Sequence, residues 1–120
     1  MAIPPDRVRL KRAYEPAATE DGARVLVERL WPRGVTKAEA ALSRWDRDIA
    51  PSPTLRKWYG HDPARWDEFR RRYLAELRPH EPDLEALRAL ARDGRLTLVF
   101  AARDPEHSSA AVLREVLLSD

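Results

Sequence analysis

The sequence predicts a single small α/β domain, with a mainly parallel sheet flanked by helices in a Rossmann-like layering. Apolar runs of strand length at 24–30 and 96–101 are separated by longer segments of helical periodicity, which is the pattern of βα units. The run 96–101 is almost continuously apolar, as expected for a strand covered on both faces. A chain of 120 residues has room for one core. We therefore expect one domain over residues 1–120, with 1–6 and 119–120 flexible.

The expected strands differ in exposure. Residues 7–13 alternate apolar and charged side chains, which predicts a half-exposed edge strand. A loop is expected at 14–23, and 24–30 is a more buried second strand. Residues 45–49 fit either a short strand or an irregular link. Central apolar strands linked by helical segments are usually adjacent and parallel, so we expect this of 24–29 and 96–101. Their carboxyl ends then share one edge of the sheet.

Four helix starts carry local signals. Thr36 and Glu39 form a capping box that begins a short helix reaching about Leu42. Three others pair a capping side chain with proline at the next position, at Ser52, Asp62 and Asp104. The helix from Ser52 ends at Gly60, the one from Asp62 is strongly amphipathic, and the one from Asp104 spans about 105–118. A further helix, with its leucines at 84, 87 and 90, ends at Asp93 and Gly94.

Composition narrows the classes of protein. The chain has no cysteine, which excludes disulfides, thiolate metal ligands and cysteine nucleophiles. No stretch approaches the roughly 20 apolar residues of a membrane span, and the first residues lack the apolar region of a signal peptide. We therefore expect a cytoplasmic protein with no membrane contact. The 22 basic and 20 acidic residues give a net charge of +2, which is too small to indicate a nucleic-acid-binding protein by itself.

The end of the second strand carries chemistry that core packing does not require. Arg29 and Arg33 flank Trp31 in a loop stiffened by proline and glycine. Two guanidiniums could hold a phosphate or carboxylate bidentately, Trp31 could stack a flat ring, and the helix start near Lys37 would favour the same anion. The alternatives are ion pairs of the arginines with nearby carboxylates at 28, 46 and 48, and a tryptophan buried in the core.

The end of the strand 96–101 carries the second half of the expected site. His107 is the candidate general acid–base and Asp104 its partner, since an unperturbed imidazole titrates near neutral pH. The simpler interpretations are that Asp104 caps a helix and that His107 only hydrogen-bonds to it. Arg56, Trp58 and His61 are expected to wall the same pocket, although His61 could equally be a loop residue.

Other chemistries lack support in the spacing. The residues His61, Asp62, Asp104 and His107 match no metal-ligand signature, so no metal is predicted. There is no glycine-rich dinucleotide or P-loop motif, and Ser52 lacks a nucleophile elbow. The sequence predicts no particular cofactor.

Longer motifs carry a family resemblance. The segment Val25–Gly34, VLVERLWPRG, resembles the signature of the DUF488 family in its YeaO-like branch. The remaining matching segments are Ala50–Ser52, Leu55–Trp58, Gly60–Asp62, Phe69–Tyr73, Glu76–Leu77 and Thr97–His107. The resemblance covers residues 7–118 and implies a small α/β domain with a parallel sheet, but no particular activity. Two positions depart from the pattern, Glu28 where the family usually has Asp and Ser108 where the branch usually has Asn.

The site admits two principal functions. One is binding of a phosphate-bearing ligand, either a nucleotide or a nucleic acid, with acid–base catalysis by His107 and Asp104. The other is a non-catalytic module that binds a nucleotide or nucleic acid through the same arginines and Trp31. A structural or interaction protein is the third alternative, and it requires Arg29 and Arg33 to be consumed by ion pairs.

Overall fold

Four parallel strands form one sheet in the order β1-β4-β2-β3, in a computed structural model that describes residues 2–119. The strands are β1 (Val8–Arg12), β2 (Ala23–Leu26), β3 (Arg44–Trp45) and β4 (Leu96–Phe100). Strands β2 and β4 are neighbours and run parallel, with Val25 opposite Leu98, so the predicted shared edge is confirmed. The predicted edge position of β1 is confirmed as well.

Five α-helices connect or follow these strands. They are α1 (Lys37–Ala40), α2 (Pro53–Tyr59), α3 (Trp66–Leu77), α4 (Glu81–Asp93) and α5 (Ser109–Leu118). Single 3₁₀ turns span Pro5–Arg7, Thr19–Asp21, Pro63–Arg65, Arg78–His80 and Pro105–His107. The capping box at Thr36 and Glu39 is confirmed, and so is the end of α2 at a left-handed Gly60.

Several predicted boundaries were wrong. The expected final helix over 105–118 is interrupted, because Ser108 adopts an extended backbone and caps α5 through a hydrogen bond from the Ala111 amide. A serine hydroxyl competes with helical hydrogen bonding in this way, whereas the Asp104-Pro105 signal starts only a 3₁₀ turn. The strand expected over 24–30 ends at Leu26, and the open question over 45–49 resolves into a two-residue strand at Arg44–Trp45.

The main hydrophobic core lies on one face of the sheet. Helices α2 to α5 contribute apolar side chains that meet Val25, Leu98 and Phe100 from the strands. On the opposite face, Leu26 and Val99 are covered by the segment that follows β2, which carries α1 and the indoles of Trp31 and Trp45.

The chain leaves β2 and β4 toward opposite faces of the sheet. The segment after β2 crosses to the face of Trp31, while the segment after β4 leads into α5 on the face of the main core. In parallel sheets, adjacent strands with divergent connections leave a crevice at their carboxyl ends, and ligands bind there preferentially. This topology places the cavity described below.

The N-terminal segment contacts the main core through Ile3. Ile3 is buried and residues 5–7 form the first 3₁₀ turn. The flexibility expected for residues 1–6 and 119–120 stays a prediction, and Met1 and Asp120 lie outside the described residues. Across residues 2–119, no helix combines the length and the apolar character needed to cross a membrane.

Candidate functional site

A cavity of about 480 Å³ lies at the carboxyl ends of β2 and β4. The segment after β2 contributes Glu28 and Arg29, and the segment after β4 contributes residues 101–104. The remaining wall comes from the α2 region, α3 and the start of α5. Its residues are Ala50, Pro51, Arg56, Tyr59, His61, Phe69, His107, Ser108 and Ser109. Five of the nine predicted site residues therefore line one cavity: Arg29, Arg56, His61, Asp104 and His107.

Arg29 is held by backbone rather than by carboxylates. Its Nε donates to the carbonyl of Pro51 at 2.9 Å and its Nη2 donates to that of Ala50 at 3.1 Å. Among the described residues it forms no ion pair, and Asp46 pairs with Arg44 instead. A guanidinium has five N–H donors, so the two backbone bonds fix its orientation and occupy only part of its donor capacity.

Glu28 joins the ends of the two central strands. Its Oε2 accepts a hydrogen bond from the backbone amide of Ala101 at 2.9 Å. The carboxylate that follows β2 is therefore tied to the first residue after β4 by a charge-assisted hydrogen bond.

His107 and Asp104 form a close pair at the cavity. Nδ1 of His107 lies 2.6 Å from Oδ2 of Asp104, and the other oxygen of Asp104 accepts from the Glu106 amide at 3.1 Å. The hydrogen bond from His107 lowers the pKa of Asp104. About 38% of the His107 side chain is exposed, so solvent and small molecules can reach it. The expected hydrogen bond between the two residues is therefore present.

Tyr59 is a site residue that sequence reasoning missed. It is buried, it stacks on Phe69 with ring centroids 4.3 Å apart, and its hydroxyl donates to the carbonyl of His107 at 2.9 Å. Burial raises the pKa of Tyr59, and the charges of Asp104 and Asp62 raise it further, so it remains a donor. Its spacing from Leu55 on α2 signals a core position, and nothing local signals the contact with residue 107.

Arg56 and His61 bring charge and strain to the rim of the cavity. Arg56 is exposed on α2, and His61 follows Gly60 in the left-handed region with φ +57°. A non-glycine residue in this region is uncommon and carries a conformational cost. Arg103, Ser108 and Ser109 also line the cavity, and the sequence analysis assigned them no role. The sequence signal that could have identified them was their position after β4, the most continuously apolar strand.

The other four predicted site residues do not line the cavity. Trp31 donates its Nε1–H to the carbonyl of Val35 at 2.6 Å and meets Trp45 edge-on at 5.4 Å, on the opposite face. Arg33 and Lys37 are exposed on the same segment, and α1 has only four residues. Trp58 lies under the guanidiniums of Arg65 and Arg72.

Within residues 2–119, no cluster of three or more His, Asp or Glu side chains is arranged to hold a metal ion.

Comparison with known proteins gives consistent matches. The family model described as "Inactive DUF488-N3 subclade" matches residues 7–120. The chain belongs to the DUF488 family. It is 42% identical to the uncharacterized protein YeaO of Escherichia coli K12 over 112 residues, which are 93% of this chain and 97% of that relative.

A second bacterial relative supports the same membership. The uncharacterized protein Rv3073c of Mycobacterium tuberculosis H37Rv is 45% identical over 111 residues, 92% of this DUF488 chain and 93% of the relative. No solved structure matches the chain. The predicted family and α/β class are thus confirmed, together with the likeness to YeaO.

Proposed function

We propose that this DUF488 protein binds a small phosphate-bearing ligand, a nucleotide or a sugar phosphate, without converting it. The observation that carries the proposal is the presence of three arginines, Arg29, Arg56 and Arg103, around one cavity at the carboxyl ends of two parallel strands. Guanidiniums suit phosphate because their planar donors match its oxygen geometry.

The charges around the cavity favour an anion. The two carboxylates that line it, Glu28 and Asp104, already accept hydrogen bonds from Ala101 and His107. The three arginines outnumber these two carboxylates, and none of the three forms an ion pair among the described residues. Helix α5 also begins here, and the partial positive charge of a helix N-terminus adds to the attraction for a phosphate.

The shape favours a small molecule over a polymer. A volume of about 480 Å³ lies within the range of roughly 300–1,000 Å³ typical of small-molecule sites. Ala50, Pro51 and Phe69 supply apolar wall, which fits a ring or sugar attached to the phosphate. A nucleic acid remains the alternative partner, and it would need to bind through a phosphate end or a single extruded nucleotide.

The matching family model is described as an inactive subclade, and this supports binding without turnover. Acid–base catalysis is the second candidate, and the 2.6 Å pairing of His107 with Asp104 is the observation in its favour. A phosphate ligand that is recovered unchanged after prolonged incubation supports binding alone. Turnover that is lost in His107→Gln, with binding retained, would instead support catalysis.

Calorimetry with AMP, ribose 5-phosphate and inorganic phosphate tests the binding proposal. We expect Arg56→Gln to weaken binding of the tightest of the three about tenfold, since a hydrogen bond to a charged group contributes about 1.5 kcal/mol. Arg33→Gln is the matched control, because Arg33 is also an exposed arginine but does not line the cavity. Failure of all three compounds to bind at millimolar concentration, or equal effects of the two substitutions, would contradict the proposal.

A further inference from the structure

Arg12 holds one wall of the cavity without lining it. It is the last residue of β1, at the same end of the sheet as the cavity. Its Nε donates to the carbonyl of Ala102 at 2.8 Å and its Nη2 donates to that of Ala101 at 3.3 Å. Both alanines line the cavity, and their segment continues directly into Arg103 and Asp104.

The peptide groups of this wall are held from two sides. Arg12 takes the two carbonyls, while Glu28 accepts from the amide of Ala101 at 2.9 Å. Arg12 is itself oriented by neighbours, because its guanidinium lies over the ring of Tyr14 at 5.0 Å and its backbone amide donates to Glu15. The segment after β4 is thus tied to the ends of both strands that flank β4.

Arg29 does the same for the opposite wall, where it holds the carbonyls of Ala50 and Pro51. The difference is that Arg29 also lines the cavity, whereas Arg12 does not. An effect of Arg12 on ligand binding would therefore pass through the backbone it holds and not through direct contact.

We propose that Arg12 is a positioning residue of the anion site, one that fixes Ala101–Asp104 so that Arg103 and the His107–Asp104 pair meet a phosphate in a set geometry. This inference rests on the proposed function for its ligand. It also predicts that the segment Ala101–Asp104 is ordered in the free protein, which can be measured without any ligand. A site whose backbone is already fixed loses less conformational entropy on binding, so it binds more tightly.

The test compares Arg12→Gln and Arg12→Lys with a matched control, Arg114→Gln. Arg114 also donates two hydrogen bonds to backbone carbonyls, to Val8 at 2.7 Å and Pro5 at 2.8 Å, but it does so at the other end of β1. Lysine keeps the charge of Arg12 but lacks the planar fork that reaches two carbonyls together. The probes are inorganic phosphate and AMP, and the ligand-independent measurement is amide hydrogen exchange by NMR.

We expect both Arg12 variants to speed exchange of the Ala101 amide about tenfold, while the Val27 amide, which donates to Val99 in the centre of the sheet, is unchanged. Both variants should also weaken phosphate or AMP binding about tenfold, and Arg114→Gln should change neither measurement. An unchanged Ala101 exchange rate would overturn the inference. Wild-type affinity in either Arg12 variant would overturn it as well. If only Arg12→Lys behaves as wild type, the charge of Arg12 matters and its two hydrogen bonds do not.

Failure of the proposed function gives a different result. If the wild-type protein binds neither probe, the binding proposal fails, and the Ala101 exchange rate alone decides whether Arg12 orders this wall. Faster exchange then supports the ordering role, and unchanged exchange rejects it.

Discussion

At the scale of single residues, the most consequential feature outside the cavity is a buried group of charges. Asp21 accepts hydrogen bonds from Lys11 at 3.1 Å and from Arg24 at 2.7 Å, and its side chain is only 3% exposed. Burial by itself would raise the pKa of Asp21. The hydrogen bonds from the Ala18 amide, Lys11 and Arg24 outweigh that effect, so the pKa of Asp21 is lowered.

The lowered pKa gives a prediction with a definite sign. Asp21 contributes stability above its ordinary unfolded pKa of about 3.9, and this contribution is lost as the pH falls through the lower folded value. Asp21→Asn should cost about 3 kcal/mol at pH 7, because it leaves Arg24 buried beside a neutral amide. Urea unfolding at pH 7 and at pH 2.5 measures the difference between the two proteins. A difference that stays the same at both pH values would contradict the assignment.

At the scale of secondary-structure elements, the start of α5 depends on Ser108 and not on Asp104. Ser108 is 3% exposed, its Oγ accepts from the Ala111 amide at 3.3 Å, and it donates to the Pro105 carbonyl at 2.7 Å. Asp104 is exposed and accepts from the Glu106 amide, which belongs to the preceding 3₁₀ turn. The two residues therefore cap consecutive short stretches of chain.

A pair of substitutions separates these roles. Ser108→Ala should destabilise the protein by about 1 kcal/mol, the usual cost of removing a helix N-cap. Asp104→Ala should cost less, because both hydrogen bonds that it removes, from the Glu106 amide and from His107, are exposed and lie within a single turn. Thermal unfolding at neutral pH measures both variants. A larger loss for Asp104→Ala would restore Asp104 as the cap of the final helix.

At the scale of the whole molecule, one layer of helices lies on the main-core face of the sheet. The molecule measures 38 × 35 × 21 Å along its principal axes. Much of the surface charge is mutually paired, as in Arg70 with Glu115 and Arg92 with Glu85. The net charge of only +2 is too small to predict strong long-range attraction to a nucleic acid.

The weak overall field predicts a shallow salt dependence for any binding of single-stranded DNA. Few phosphates would be neutralised, so the slope of log affinity against log salt should be on the order of −2 to −4. Fluorescence anisotropy with a labelled oligonucleotide across a series of salt concentrations measures it. A slope near −8 would reveal an extended nucleic-acid interface and would favour the polymer over the small ligand.

The sequence by itself determined the α/β class, the parallel neighbours β2 and β4, and the capping signals of α1 and α2. It also predicted five residues of the cavity. Three of them, Arg29, Asp104 and His107, follow apolar parallel strands, whose carboxyl ends meet at the same edge of the sheet. These inferences use patterns within a few residues, namely the alternation of strands, the periodicity of helices and the hydrogen bonds of caps.

Only the tertiary structure decided which way the chain turns after Arg29. That turn carries Trp31 and Arg33 to the opposite face of the sheet. Of the three residues predicted to bind a ligand together, only Arg29 lines the cavity. The roles of Tyr59 and Arg12 likewise depend on contacts 48 and 90 residues away in sequence. No local pattern encodes such contacts, because the free energy that selects them comes from burying the helices on one face of the sheet as a unit.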